Sequence, residues 1–534
     1  MERKELSKDD SLILKGLAIL VIMLHNLFRW IEPSTGENEF GFSHDFVYRF
    51  GELLVSQPQE FINIIFSYLG HFGVQVFILL SGYGLTKSML AKPTTWSAFM
   101  GNRLKKIYPL LLIAIAGYVL FSWAVDNYLP TGNDKSSIIY KLLIIHTMMP
   151  YEGISLCGPW WFFGLIVQLY ILFPILLNLS QKYGSKILIL TTVASYVWFF
   201  SAFYCYDHDL LLAVWNAPGH LPEFCFGMWL ALRRNVVISR WWVLPTLAVF
   251  ALGNFFAVFY PFTFLAASVI ILICYNSVSE FIAQHKPISR PLVFLGSISM
   301  FLFAVHGFMR KPFIDFAESH SNAAVSLLTA LVFVAAAIIV SLIIRPLYNL
   351  IVQLLDRIKI DIPPKTDKAI KTATLSFLAV VALYFIVSPL QNYHDIELNQ
   401  NQTTKKCRFT TDNTIESGTQ FSDILRIKLG LCGMVKMEFD AEFDTHECED
   451  GHIPMLITDI NHIYWGAFNI PKTDGFQKVH FERTIYSGFF DRIRKKKFNI
   501  YVWNNEGVSM KFRNAEVKIS CQKWGCKPLD KHTN

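Results

Sequence analysis

The chain has 534 residues, 53% of them hydrophobic and 15% aromatic, and a mean hydropathy of +0.37. That composition excludes an ordinary soluble globular domain and indicates a chain that crosses a membrane many times. The net charge of +7 does not imply nucleic acid, because the Lys and Arg excess lies in alternate short loops, as the positive-inside rule requires.

Apolar runs of roughly 20 residues predict about eleven spans. They fall near 12–30, 62–82, 107–125, 161–179, 186–204, 210–232, 241–258, 262–278, 291–309, 322–344 and 373–390, the sixth interrupted by Pro218, His220, Pro222 and Glu223. The first run is long enough to stay as a span rather than be removed as a signal peptide. Arg3, Lys4 and Lys8 precede it, and Lys87, Lys92, Arg103, Lys105 and Lys106 join the second span to the third. Arg233, Arg234 and Arg240 follow the sixth, and five Lys or Arg between 357 and 371 precede the last. The expected topology is therefore a multi-pass protein of the inner or plasma membrane, with a cytoplasmic N-terminus and an extracytoplasmic C-terminus.

Ionisable side chains inside spans are costly, so they mark function by default. Lys15 and His25 share the first span, roughly 15 Å apart along a helix axis. Lys15 is expected near the inner face and His25 deeper, toward the outer face. Arg103 and Lys106, three residues apart, share one helix face at the cytoplasmic edge; read alone, they are positive-inside anchors. His71 opens the second span, His306 lies toward the outer end of the ninth, and Glu223 is an intramembrane carboxylate that needs a partner. For each of these, packing or an interhelical hydrogen bond is the plain alternative. No Ser nucleophile motif of the G-x-S-x-G type is present.

Four parts are expected. Residues 1–347 form an all-α membrane domain, 348–372 a cytoplasmic linker broken by Pro363 and Pro364, 373–391 an additional span and 392–534 an extracytoplasmic domain. In the last part the period changes to two: VKMEFDAEF, KVHFERTI, FNIYVWNN and VSMKFRNAEVKI alternate apolar and polar residues. Turn sequences between them predict an all-β sandwich or jelly roll, with no long internal repeat. Five of nine cysteines (Cys407, Cys432, Cys448, Cys521, Cys526) lie there, enough for two disulfides with one thiol left over. Neither CxxC nor zinc-finger spacing occurs, so no metal is expected. Trp465, Trp503, Tyr464 and Tyr501 suit stacking on sugar rings, with burial in the core as the alternative. The basic run at 492–497 is a solvated loop or a contact for an anionic glycan.

Six segments, in order over about residues 10–345, resemble acyltransferase family 3, membrane proteins that O-acylate cell-surface glycans. They are LKGLAILVIMLH, GHFGVQVFILLSGYGL, NRLKKIYPLLL, GPWWFFGLIVQLYILFPIL, LPEFCFGMWLA and LGSISMFLFAVH. The departures are Lys15 and Lys106 where Arg is common, Ile166 where many members have Glu, and Met300 for Tyr. The resemblance implies transfer of an acyl group, most often acetyl, from cytoplasmic acyl-CoA to a hydroxyl of an extracytoplasmic glycan. It implies His25 as base with His306 as a second catalytic residue, and Lys15, Arg103 and Lys106 on the donor phosphates. His71, Glu223 and Trp161 are the implied substrate contacts, with membrane lipid around the whole. The rival reading is a transporter or exporter of a glycan or acylated intermediate; against it, only one span is broken and no second segment matches it.

Overall fold

The computed structural model describes residues 6–149, 152–205, 214–233, 239–320, 322–358, 363–387, 393–396, 407–429, 434–448, 454–460, 464–486, 496–504 and 509–522. The chain divides into two units, residues 1–147 with 153–375, and residues 148–152 with 376–534.

The helices are α1 (Lys8–Phe28), α2 (His44–Ser56), α3 (Phe61–Leu69), α4 (Gly73–Ala91), α5 (Trp96–Asp126), α6 (Gly132–Leu142), α7 (Trp161–Tyr183) and α8 (Lys186–Cys205). They continue as α9 (Ala217–Leu232), α10 (Val243–Phe255), α11 (Thr263–Gln284), α12 (Lys286–Met309), α13 (Lys311–Glu318), α14 (Ala323–Arg357) and α15 (Pro364–Val387). Ser7 and Asp10 form a capping box that starts α1. Among the described residues, seven helices are long and apolar enough to cross a membrane; three of these incorporate a preceding 3-10 turn. The other four expected spans fall on α8 and α10, which are shorter apolar stretches, on the 16-residue α9, and on α15. Part of the sixth span, residues 210–213, lies outside the described residues, as does Arg234. The stretch expected as a linker is helical at both ends, since α14 runs to Arg357 and α15 starts at Pro364.

Glycines set the closest helix contacts. A Cβ on Gly16 of α1 would lie 2.1 Å from the Leu292 carbonyl oxygen of α12, and one on Gly296 of α12 would lie 1.9 Å from that of Leu12. The two backbones therefore touch at this crossing, which only glycine permits. Farther along, Arg310 just past α12 bonds Asn26 of α1 (Nη1 to Oδ1, 3.1 Å), so the two helices run parallel. His25 and His306 are nine and ten residues beyond their glycines, and are thereby carried to the same level. A second reciprocal pair joins α4 to α9: Gly82 meets the Phe224 carbonyl and Gly227 meets that of Leu79.

The second unit is a β-sandwich. Its strands are β1 (Tyr393–Ile396), β2 (Cys407–Phe409), β3 (Asn413–Ile415), β4 (Phe421–Leu429), β5 (Met434–Asp444), β6 (Met455–Ile460), β7 (Tyr464–Asn469), β8 (Gln477–Tyr486), β9 (Lys496–Trp503) and β10 (Met510–Gln522). One five-stranded sheet runs β1-β10-β5-β8 with β3 also on β10; the other runs β2-β4-β9-β6-β7, and every pairing is antiparallel. The orders β3-β10-β5-β8 and β4-β9-β6-β7 are those of a jelly roll. The alternation in the sequence is the cause: Val435, Met437, Phe439, Ala441 and Phe443 of β5 are all buried against Ile424, Phe498, Ile500 and Leu456 of the facing sheet. Cys521 is disulfide-bonded and Cys448 is buried. Cys432, Cys526 and residues 492–495 of the basic run lie outside the described residues.

Candidate active site

His25 sits near the end of α1, 1% exposed. Its Nδ1 donates to the Phe66 carbonyl of α3 at 3.0 Å. A carbonyl can only accept, so the proton stays on Nδ1 and Nε2 is the atom that gains or loses one. Nε2 has no hydrogen bond, and the nearest charge is Oε2 of Glu39 at 3.7 Å. The imidazole is therefore oriented by the main chain and faces a carboxylate with its reactive nitrogen.

Two devices bring the neighbouring chain onto His25. The long segment Pro58–Ala91 is broken by a 3-10 turn at Gly70–Phe72 between α3 and α4. A Cβ on Gly70 would lie 2.6 Å from that of His25; this explains the first glycine of GHFG. His71, on the same turn, packs edge-on to His25 with ring centroids 5.6 Å apart, and neither of its nitrogens has a hydrogen-bond partner.

Glu39 belongs to the segment between α1 and α2, which is tied down by buried polar contacts. Asn63 donates to the Ile31 carbonyl at 3.0 Å, Thr35 pairs with Ser67 at 3.0 Å, and the Tyr260 hydroxyl donates to the Glu39 carbonyl at 2.9 Å. Arg29, one turn beyond His25, bonds Glu39 through Nη1 at 3.1 Å and Glu37 through Nη2. Burial acts to raise the Glu39 carboxyl, but His25 and Arg29 outweigh it and bring it down to about 2. Glu37 is raised, because burial outweighs Arg29 there. The ligand atoms of His25, Glu37 and Glu39 lie within 4.8 Å of one another, a spacing that could suit a metal. Arg29 already supplies both carboxylates with a positive charge, which fits an ion-pair cluster better than a cation site.

His306 of α12 is fully buried, its Nδ1 3.0 Å from the carbonyls of Leu302 and Phe303 and its Nε2 without a partner. The α1–α12 crossing carries it to the level of His25. Arg310, also beside this cluster, lies over the Trp30 ring at 5.4 Å; burial lowers its guanidinium to about 10, which leaves it charged.

These observations lie within one recognisable domain. The acyltransferase domain of acyltransferase family 3 matches residues 12–345. The chain belongs to that family. It is also 30% identical over 138 residues to the "Regulator of hypoxia-inducible factor 1" of Caenorhabditis elegans, a stretch covering 23% of this chain and 27% of the worm protein. The chain thus spans about a quarter of that relative's length. No solved structure matches it.

The remaining expected residues of the family domain fall in two places. Arg103 lies against the rings of Phe99 and Tyr170, 5.2 and 5.7 Å from their centroids, and its buried Nε has no hydrogen-bond partner. Lys106, one turn on, is exposed, and Lys15 is half-buried on α1. A groove of about 460 Å³ at the N-terminal ends of α1 and α12 is lined by other charged groups, Asp9, Lys286 and Arg290. Glu223 and Trp161 meet at a different histidine: His220 lies 3.2 Å from the Glu223 carboxylate and stacks on Trp161 at 5.6 Å. Glu223 does not contact His25. Sequence reasoning missed Glu39, Glu37, Arg29 and His220. Arg29 was recoverable from its i+4 spacing to His25, and His220 from its i, i+3 spacing to Glu223.

Proposed function

We propose that this membrane acyltransferase moves an acyl group, acetyl in the first instance, from cytoplasmic acyl-CoA to a sugar hydroxyl of an extracytoplasmic glycan. The observation that carries the reading is the bare Nε2 of His25, held by the Phe66 carbonyl behind it and faced by Glu39. In the proposed reaction the acceptor hydroxyl gives its proton to Nε2 as its oxygen attacks the thioester carbon. The tetrahedral intermediate then collapses, the C–S bond breaks, and the imidazolium returns the proton to the departing thiolate. Glu39 stabilises the imidazolium between these steps. His306, with its own bare Nε2, is assigned to the same reaction centre, and His71 to the wall beside it. Arg103, Lys106 and Lys15 are assigned to the donor phosphates, which the unspent Nε of Arg103 supports. His220, Glu223 and Trp161 form a separate buried cluster with an acceptor-side role.

The test uses the full chain in lipid nanodiscs with radiolabelled acetyl-CoA and a glycan fraction of the host. Label should pass to glycan with release of free thiol, and His25→Ala should abolish both while donor binding survives. Transfer that persists in the variant removes His25 as the base. Absence of both transfer and donor binding in folded wild type overturns the reading.

A further inference from the structure

The outer face of the sheet β2-β4-β9-β6-β7 carries aromatic rings where a solvated sheet ordinarily carries polar side chains. Phe421 and Trp465 are 58% and 55% exposed. The antiparallel register places Phe421 beside Trp503, Tyr501 one row on, and Trp465 opposite Asp459 in the row after that. The rings are arranged against one another: Phe421 stacks on Trp503 at 6.3 Å with an 11° interplanar angle, Trp465 meets Trp503 edge-on at 6.3 Å, and the Trp465 indole N–H donates to the Tyr501 hydroxyl at 3.3 Å. Ile457, fully buried, is the cross-strand neighbour of Tyr501.

Hydrogen-bonding groups border these rings. Asp423 is met by Arg426 at 2.9 Å and Arg408 at 3.9 Å, and Asp459 accepts from Asn499 at 3.0 Å. Fixed rings beside paired donors and acceptors complement a ligand with apolar C–H faces and hydroxyl edges. The geometry points to a saccharide-binding platform on this sheet, formed by Phe421, Trp465, Tyr501 and Trp503 with Asn499 and Asp459, for the sugar rings of an oligosaccharide. Lys428 and Lys497, paired one row beyond Asn499, make the outer face net basic, but the carboxylates of Asp423 and Asp459 stand in the rows of the rings themselves, where they oppose an anionic membrane surface. The platform lies wholly in the β unit and goes beyond the acyl-transfer reading; neither depends on the other.

The test titrates the full chain in nanodiscs, without acyl donor, with cellohexaose, maltohexaose and chitohexaose, reading heat and tryptophan emission. At least one oligosaccharide should bind, and Trp465→Ala and Phe421→Ala should each weaken it about tenfold. Trp465→Phe, which keeps a ring, should weaken it less, and Lys518→Ala on the other sheet should not change it. Failure of all three sugars to bind the folded chain overturns the platform, as does binding that Trp465→Ala leaves intact. Binding of empty anionic vesicles to the chain in detergent that is lost in Trp465→Ala, with sugar binding absent, makes the face a membrane anchor instead. None of these outcomes touches acyl transfer, so the two readings fail separately.

Discussion

Gly296→Ala is the sharpest probe of how α1 and α12 hold the candidate site. The added methyl would stand 1.9 Å from the Leu12 carbonyl oxygen, and ordinary contact begins near 3.4 Å, so the helices must part by about 1.5 Å. The obstacle is backbone, which has no rotamer through which to yield. Overpacking of this kind costs about 1–3 kcal/mol, or roughly 1–4 °C in melting temperature for a domain of this size. Because His25 and His306 ride on the two helices, a shift of this order should lower transfer about 100-fold. The control is Gly101→Ala in α5, where the methyl would meet nothing within 4 Å. It should be neutral or stabilising by up to about 1 kcal/mol, the usual gain for Ala over Gly in a helix. Thermal unfolding in nanodiscs and initial transfer rates on both variants would decide the matter. If Gly296→Ala melts and turns over like Gly101→Ala, the backbone contact does not position the site.

Three further outcomes are expected. Glu39→Gln removes a charge 3.7 Å from Nε2, worth up to about 4 kcal/mol at an effective dielectric of 20 and less after Arg29 and the new amide respond; kcat should fall about 100-fold with donor affinity unchanged, and equal loss in both would assign Glu39 to folding instead. Arg103→Ala should raise KM for acyl-CoA about tenfold, with Arg103→Lys between the two because a lysine keeps the charge and loses the fork; an unchanged KM would place the donor elsewhere. The sandwich should weaken in acid. Glu442 is held low by Arg513, Asp444 by His446, and Asp440 by His480 and Lys478 against the opposing effect of burial. These depressed carboxyls contribute stability that is fully present above the ordinary carboxylate range and is lost as pH falls through their folded values. Hydrogen exchange of β5 in the full chain should therefore speed up below about pH 4 beyond its intrinsic change, and an unaltered protection factor would contradict the assignment.

The parts of this architecture that were legible in the sequence are those where one residue's neighbours fix its environment. Period-two alternation in VKMEFDAEF needed only a core on one side to become β5, and the apolar runs needed only lipid or packed helices. Glu39 was not legible, because ENEF reads as a solvated loop, and it takes Asn63, Ser67 and Tyr260, all later in the chain, to fold its segment back toward the end of α1. Hydropathy likewise does not tell a long helix from a shorter one packed against its neighbours: the sixth apolar run holds the 16-residue α9, set against α4 through Gly82 and Gly227. Glu223 shows the converse. Its partner was left unnamed although His220 stood one turn away on the same helix.

The side of His25 on which the carboxylate sits has a consequence for the proposed reaction. Where a carboxylate orients an imidazole from behind, it binds the nitrogen that keeps its proton; here the Phe66 carbonyl has that place and Glu39 stands at the nitrogen that reacts. A carboxylate there favours the imidazolium once formed, yet it also opposes the negative charge that grows on the thioester oxygen a few ångströms away. With Glu37 adjacent, two unpaired carboxylates would make that opposition severe. Arg29 bonds both, so the cluster keeps a local anion for the base while its field at longer range is reduced. Arg29→Ala should on this account cost more transfer than Glu39→Gln, and the double variant Arg29→Ala with Glu37→Gln should recover part of the loss. Rates of the three variants at saturating donor test the point, and no recovery in the double variant would show that Arg29 acts through structure rather than charge.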